Sequence, residues 1–207
     1  MKRTLLAAAL LAIVGAANAT VTLVGGTATS FLNYDDPAIL TDSQSSGLRD
    51  SLMVSDNPLD RISVTFLGKA AAHINEFWVN GGLVFDNLAT APSSYGTFYA
   101  GTPLDFKFSD TNDGGEVSNG GNGDLSDFNS YVVLGTFDGT GAFSAYHGMA
   151  GEFDYVLGFN DGAVIDADYN DLVVGVTVSV VPEPETYALM LAGLGIMGFV
   201  ARRRRAD

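Results

Sequence analysis

Between residues 20 and 180 the chain holds no sustained helical period; short apolar and aromatic runs recur instead, separated by glycine, asparagine and aspartate. No other feature restricts the fold so strongly, because runs of this length bounded by turn formers fit strands better than helices. Residues 62–66, ISVTF, alternate apolar with polar, the mark of a half-buried strand. Residues 76–80 and 83–85 read as two strands around a Gly81-Gly82 turn. Residues 131–137, followed by Asp138-Gly139, have the β-branched and aromatic content of a central strand. Residues 153–159 and 172–181 supply two more runs of the same kind. The expectation is an all-β body, a β-sandwich or jelly roll. The 25 glycines agree with many tight turns. Residues 109–127 break the rhythm with five glycines and two apolar residues, and read as a long surface loop. Residues 35–46 read as a loop, or a short helix around Pro37.

Charge narrows the function. The whole chain carries a formal −14, but residues 20–180 hold four basic side chains against 21 acidic ones, a net of −17. Such a body repels phosphate backbones and anionic lipid, so nucleic-acid binding is excluded. It also repels itself unless cations relieve the charge. There is no cysteine, which removes thiol catalysis, disulfides and Cys-based zinc sites.

The two ends differ from the body. Residues 1–19, MKRTLLAAALLAIVGAANA, combine a basic start at Lys2 and Arg3, an apolar stretch and an Ala17-Asn18-Ala19 cleavage site. That is the plan of a secretory signal peptide, to be removed by signal peptidase before Thr20. At the other end, residues 181–207 run Pro182-Glu183-Pro184, then an uncharged stretch over 186–201, then Arg202, Arg203, Arg204 and Arg205. A helix over that stretch would cover about 24 Å against a bilayer core of about 30 Å. Snorkelling arginines and local thinning would close the gap, so a transmembrane helix is expected, with the arginines on the cytoplasmic side.

This C-terminal order resembles the PEP-CTERM sorting signal of Gram-negative bacteria that make exopolysaccharide. In that family exosortase, a membrane-embedded cysteine protease, cleaves near the Pro-Glu-Pro and passes the protein to the exterior. The resemblance implies an exported substrate, anchored transiently in the inner membrane and then released to the cell surface or beyond. It divides the chain into a signal peptide (1–19), an extracellular domain (20–180) and a sorting signal (181–207).

Within the body, Asp166, Asp168 and Asn170 fall two apart and Asp171 follows directly. On a strand, alternate residues share a face, so three oxygen-bearing side chains would point the same way. Carboxylates so close repel, and Ca²⁺ with six to eight oxygen ligands relieves this, with Asp161 as a further ligand. An EF-hand is excluded: its sixth position is Asp171 where glycine is needed, and its twelfth is Thr177 where a bidentate Glu is needed. The alternative is that these side chains cap backbone amides in a tight turn before the last strand. Gly158-Phe159-Asn160-Asp161 together with Asp166-x-Asp168-Tyr169-Asn170-Asp171-Leu172-Val173 also resembles the closing motif of an uncharacterised β-rich domain of bacterial surface and exported proteins. That resemblance implies an extracellular β-sandwich and no particular chemistry.

Catalysis finds little support. His73 and His147 are the only histidines, and no nucleophile elbow, zinc-protease helix or phosphate loop is present. A glycoside hydrolase needs only two carboxylates, and 21 acids single out no pair. Trp78, Tyr95, Phe98, Tyr99 and Tyr146 offer faces for sugar rings in a carbohydrate-binding module, or else belong to the core. The favoured reading is a non-enzymatic structural protein of the cell surface or biofilm matrix, associated with exopolysaccharide; a calcium- or carbohydrate-binding module is the alternative.

Overall fold

The computed structural model describes residues 21–31, 46–121, 129–148, 151–161, 168–179 and 184–205. The signal peptide therefore lies outside the described residues, as do most of residues 35–46. Over the described residues the short runs become antiparallel strands. In chain order these begin with β1 (Val21–Val24), β2 (Thr27–Ser30), β3 (Ser46–Arg49), β4 (Leu52–Ser55) and β5 (Arg61–Gly68). There follow β6 (Asn75–Val79), β7 (Gly82–Asp86), β8 (Ser93–Tyr99), β9 (Phe106–Asp110) and β10 (Glu116–Ser118). The last are β11 (Ser130–Phe137), β12 (Phe143–Ala145), β13 (Tyr155–Asn160) and β14 (Leu172–Ser179), and one helix, α1 (Pro184–Arg205), closes the chain. The fold is all-β, as its alternating pattern requires.

Strand β5 carries the pattern most plainly, since every second side chain along it is buried. It pairs with β14 on one side and β8 on the other, inside a large sheet ordered β2-β3-β11-β13-β14-β5-β8, with β12 beside β11. A second sheet, β10-β9-β6-β7, faces it. Aromatic side chains fill the space between the two. Phe108 of β9 stacks on Phe159 of β13 with centroids 5.0 Å apart and planes 5° from parallel. Phe106 meets Tyr131 of β11 edge-on at 5.5 Å, and Phe85 of β7 meets Phe66 of β5 at 5.5 Å. These contacts make a two-layer sandwich whose core is continuous from sheet to sheet. β11 is buried on both faces, because Val132 and Leu134 enter a smaller cluster on the outer side with Phe31, Val156, Tyr169 and Val173. The Tyr131 hydroxyl, forced well above its ordinary pKa by burial, donates to the Ser51 carbonyl and accepts from the Gly120 amide at 3.1 Å.

Three expectations need correction. The β6–β7 turn is Asn80-Gly81, not Gly81-Gly82: both residues have positive φ (52° and 73°), the pair that a two-residue hairpin turn demands. Residues 109–127 are not one long loop, since β10 lies within them and pairs with β9. The third concerns α1, expected to be a transmembrane helix. No helix among the described residues is long and apolar enough to cross a membrane. Glu185 and the arginines close in on the uncharged stretch 186–201, so the apolar part of the 22-residue helix is shorter than a span. Its described side chains, at 187–199 and 201–203, are all exposed, including Leu189, Leu191, Ile196 and Phe199.

Candidate functional site

The loops at one end of the sandwich hold an unusual density of acids. Strand β13 ends at Asn160, and the chain returns through Asp168, Tyr169 and Asn170 to enter β14. Asp168 and Asn170 are buried, and they stand in the turn before β14 instead of on a strand. The expected common strand face for Asp166, Asp168 and Asn170 is therefore corrected for the latter two, while Asp166 lies outside the described residues. The turn itself is built tightly. Tyr169 adopts φ 56° with its ring buried 5.0 Å from Phe31, and Ser130 Oγ donates to its hydroxyl at 3.2 Å. Gly158 on β13 permits that approach: a Cβ there would meet the Tyr169 carbonyl at 2.4 Å.

Asp161, Asp168 and Asp171 are brought together by this return. The Asp171 carboxylate accepts from the Asp161 amide at 2.9 Å, and the Asp171 amide donates to the Phe159 carbonyl at 3.1 Å. Asp168 Oδ1 accepts from the Asn170 amide at 3.4 Å. Burial pushes the Asp171 carboxyl up to about 8; the charges of Asp161 and Asp168 and a side-chain hydrogen bond with Asp161 push the same way, against the Asp161 amide bond. Turn chemistry and charge crowding thus coexist here, and the two readings of the motif are not exclusive.

Sequence spacing gave no sign of a second group that packs against this one. The Asn75 amide, at the start of β6, donates from Nδ2 to Asp161 Oδ2. Across the small sheet Asn75 pairs with Asp110, the last residue of β9. Asp110 is buried, and its Oδ2 lies 2.9 Å from Nδ1 of His73. That bond to Asp110 raises the His73 pKa despite the opposing effect of burial, and the charges of Asp110, Asp161 and Asp113 add to it. No motif links residues 73, 110 and 161; the β6–β9 pairing and the Asn75–Asp161 hydrogen bond do so.

The aromatic candidates separate. Tyr95 stacks on Phe85 at 4.7 Å and belongs to the core margin. Phe98 packs against that same cluster, and Tyr146 against the smaller one. Tyr99 is exposed under the Arg61 guanidinium, 3.5 Å from its centroid. Trp78 is half-buried on the outer face of the small sheet, with Nε1 donating to Glu76 Oε2 and Ser109 Oγ, each at 3.0 Å. His147 stands on another loop, its Nδ1 3.1 Å from the Phe153 carbonyl oxygen.

At the C-terminus, α1 begins at Pro184, with Pro182 and Glu183 outside the described residues. Arg202 and Arg203 are exposed on its last turn, which Arg204 and Arg205 complete. Residues 180–205 match the PEP-CTERM protein-sorting motif. No curated protein and no solved structure matches the chain.

Proposed function

We propose, from the sorting motif at residues 180–205, an exported protein processed by exosortase. Beyond that, we propose a structural role at the cell surface or in the extracellular matrix, in contact with exopolysaccharide, for a sandwich whose acidic end is clamped by Ca²⁺. In this reading the protein is not an enzyme: signal peptidase and exosortase act on it, and it presents a rigid surface. The observation that carries the clamp is the gathering of Asp161, Asp168 and Asp171 on one loop return, where burial and mutual repulsion force Asp171 toward its neutral form. A hard cation with oxygen ligands removes that repulsion, and Asn170 and Asp166 stand in the same segment to complete the shell.

A second reading, a carbohydrate-binding module, is favoured by Trp78 on an open sheet face with Glu76, Ser109 and Lys107 around it. Sugar rings stack on such an indole while the polar neighbours take their hydroxyls.

Calorimetric melting of the full chain in chelator, in Ca²⁺ and in Ca²⁺ with exopolysaccharide separates these readings. A melting temperature raised by Ca²⁺ and unaffected by polysaccharide is expected for the clamp alone. Saturable polysaccharide binding that Trp78→Ala abolishes would move the assignment to the module. No response to Ca²⁺ would refute the clamp.

A further inference from the structure

The loop between β5 and β6 and the turn after β9 bring together groups that the calcium reading does not use. His73, Asp110 and Asp113 each offer a ligand atom, and these atoms lie within 4.8 Å of one another. The backbone holds them in place. Asp110 Oδ1 accepts from the Asn112 amide at 2.8 Å, and Asn112 Oδ1 accepts from the Ile74 amide at 3.0 Å. The Thr111 amide donates to the Ile74 carbonyl at 3.0 Å, and Asn87 Nδ2 donates to the His73 carbonyl at 2.9 Å. The His73 loop is thereby stapled from two sides, which presets its imidazole against Asp110.

A second observation is independent of these three side chains. Asn75, the cross-strand partner of Asp110, is fully buried, and its Oδ1 has no hydrogen-bond partner among the described residues. An orphaned buried acceptor calls for a donor that the described residues do not supply, and a water carried by a cation is such a donor.

We propose that His73, Asp110 and Asp113 bind a divalent transition cation of the zinc class, with Asn75 Oδ1 accepting from a water on the ion. The ligand chemistry selects the metal: imidazole with carboxylates suits Zn²⁺ and its first-row neighbours, whereas Ca²⁺ takes oxygen ligands. The geometry agrees. The three ligand atoms lie within 4.8 Å of one another, so one ion can take the place of the proton that His73 Nδ1 and Asp110 Oδ2 share at 2.9 Å. Asp113 is exposed on the turn and gives the ion a path in from solvent. The site shares no protein ligand with the calcium clamp and stands whether or not that reading does.

The test strips the full chain of metal, titrates it with zinc chloride, and follows the imidazole signals by NMR. His73 and His147 are the only histidines, so the spectrum holds one reporter and one control. One zinc ion per chain should bind, shifting His73 and leaving His147 in place. His73→Gln and Asp113→Asn should each weaken binding at least about tenfold, the loss that even an outer-shell partner brings. Because Asp113 is exposed, Asp113→Asn keeps the metal-free melting temperature, which separates lost ligation from lost folding. Zinc that fails to bind, that shifts His147 instead, that binds His73→Gln as tightly as the parent, or that Ca²⁺ displaces at equal concentration overturns the proposal.

Discussion

Replacing Asp171 by Asn tests the electrostatics of the acidic end directly. In the metal-free chain the folded Asp171 carboxyl titrates up to about 8, against about 4 in the unfolded chain, because burial and the charges of Asp161 and Asp168 disfavour its anion. A folded-state value raised in this way contributes stability that is fully present below the unfolded value. That contribution is lost as pH rises through the folded value. Each unit of pH across that window costs about 1.4 kcal/mol. At pH 7, about three units above the unfolded value, the folded state has therefore lost about 4 kcal/mol, an upper bound for a group that solvent partly reaches. Asparagine mimics the protonated acid: Oδ1 can accept from the Asp161 amide, as Asp171 Oδ2 does at 2.9 Å, while Nδ2 donates to the Asp161 carboxylate. In chelator, Asp171→Asn should thus be more stable than the parent at pH 7 by up to about 4 kcal/mol, with the advantage vanishing near pH 4. Urea denaturation at intervals of pH measures it. A variant less stable than the parent at every pH would show that Asp171 serves as an anion within the fold, and the argument for repulsion would fail.

Two further outcomes are open to measurement. Gly158→Ala places a methyl group 2.4 Å from the Tyr169 carbonyl, inside contact distance of backbone that cannot swing away; the cost should be about 1–3 kcal/mol, lowering the melting temperature by roughly 2–12 °C. Changing Pro182, Glu183 and Pro184 to alanine should leave the body's melting temperature unaltered and the chain unprocessed and cell-associated; normal release into the medium would show that exosortase does not read these residues.

How far these features could be read from the sequence follows from the range of the forces involved. Alternation along 62–66 and 131–137 is local, and it identified β5 and β11 because each strand must bury one face or both. The sorting signal is local as well, three features in fixed order. The β6–β7 turn slipped by one residue because Asn80 competes with Gly82 for the positive-φ position, and only strand register decides between them. Asp161, Asp168 and Asp171 were found from their spacing, though for a partly mistaken reason: a buried Tyr169 at positive φ, not a common strand face, brings them together. His73 and Asp110 stand 37 positions apart, and nothing in the chain but the β6–β9 pairing makes them neighbours.

The charge of the body and the crowding at its end belong to one argument. A body with four basic residues and 21 acidic ones cannot neutralise its carboxylates from within, so acids that the fold brings together must be protonated or must share a cation. Ionising Asp171 against its raised pKa weakens the metal-free fold toward alkaline pH, whereas a bound divalent ion stabilises the folded state by RT ln(1 + [L]/Kd), about 2.7 kcal/mol when the ion stands at a hundred times its Kd. Extracellular calcium modules work with Kd values of about 10⁻⁴–10⁻³ M, so such a clamp closes where calcium is abundant and stays open where it is scarce. For a chain carrying an export motif, the proposed clamp would place any gain in rigidity after the crossing, where calcium is abundant. Melting temperatures of the full chain at cytoplasmic-like and millimolar calcium should differ by several degrees. Equal values would disconnect the acidic end from the protein's destination.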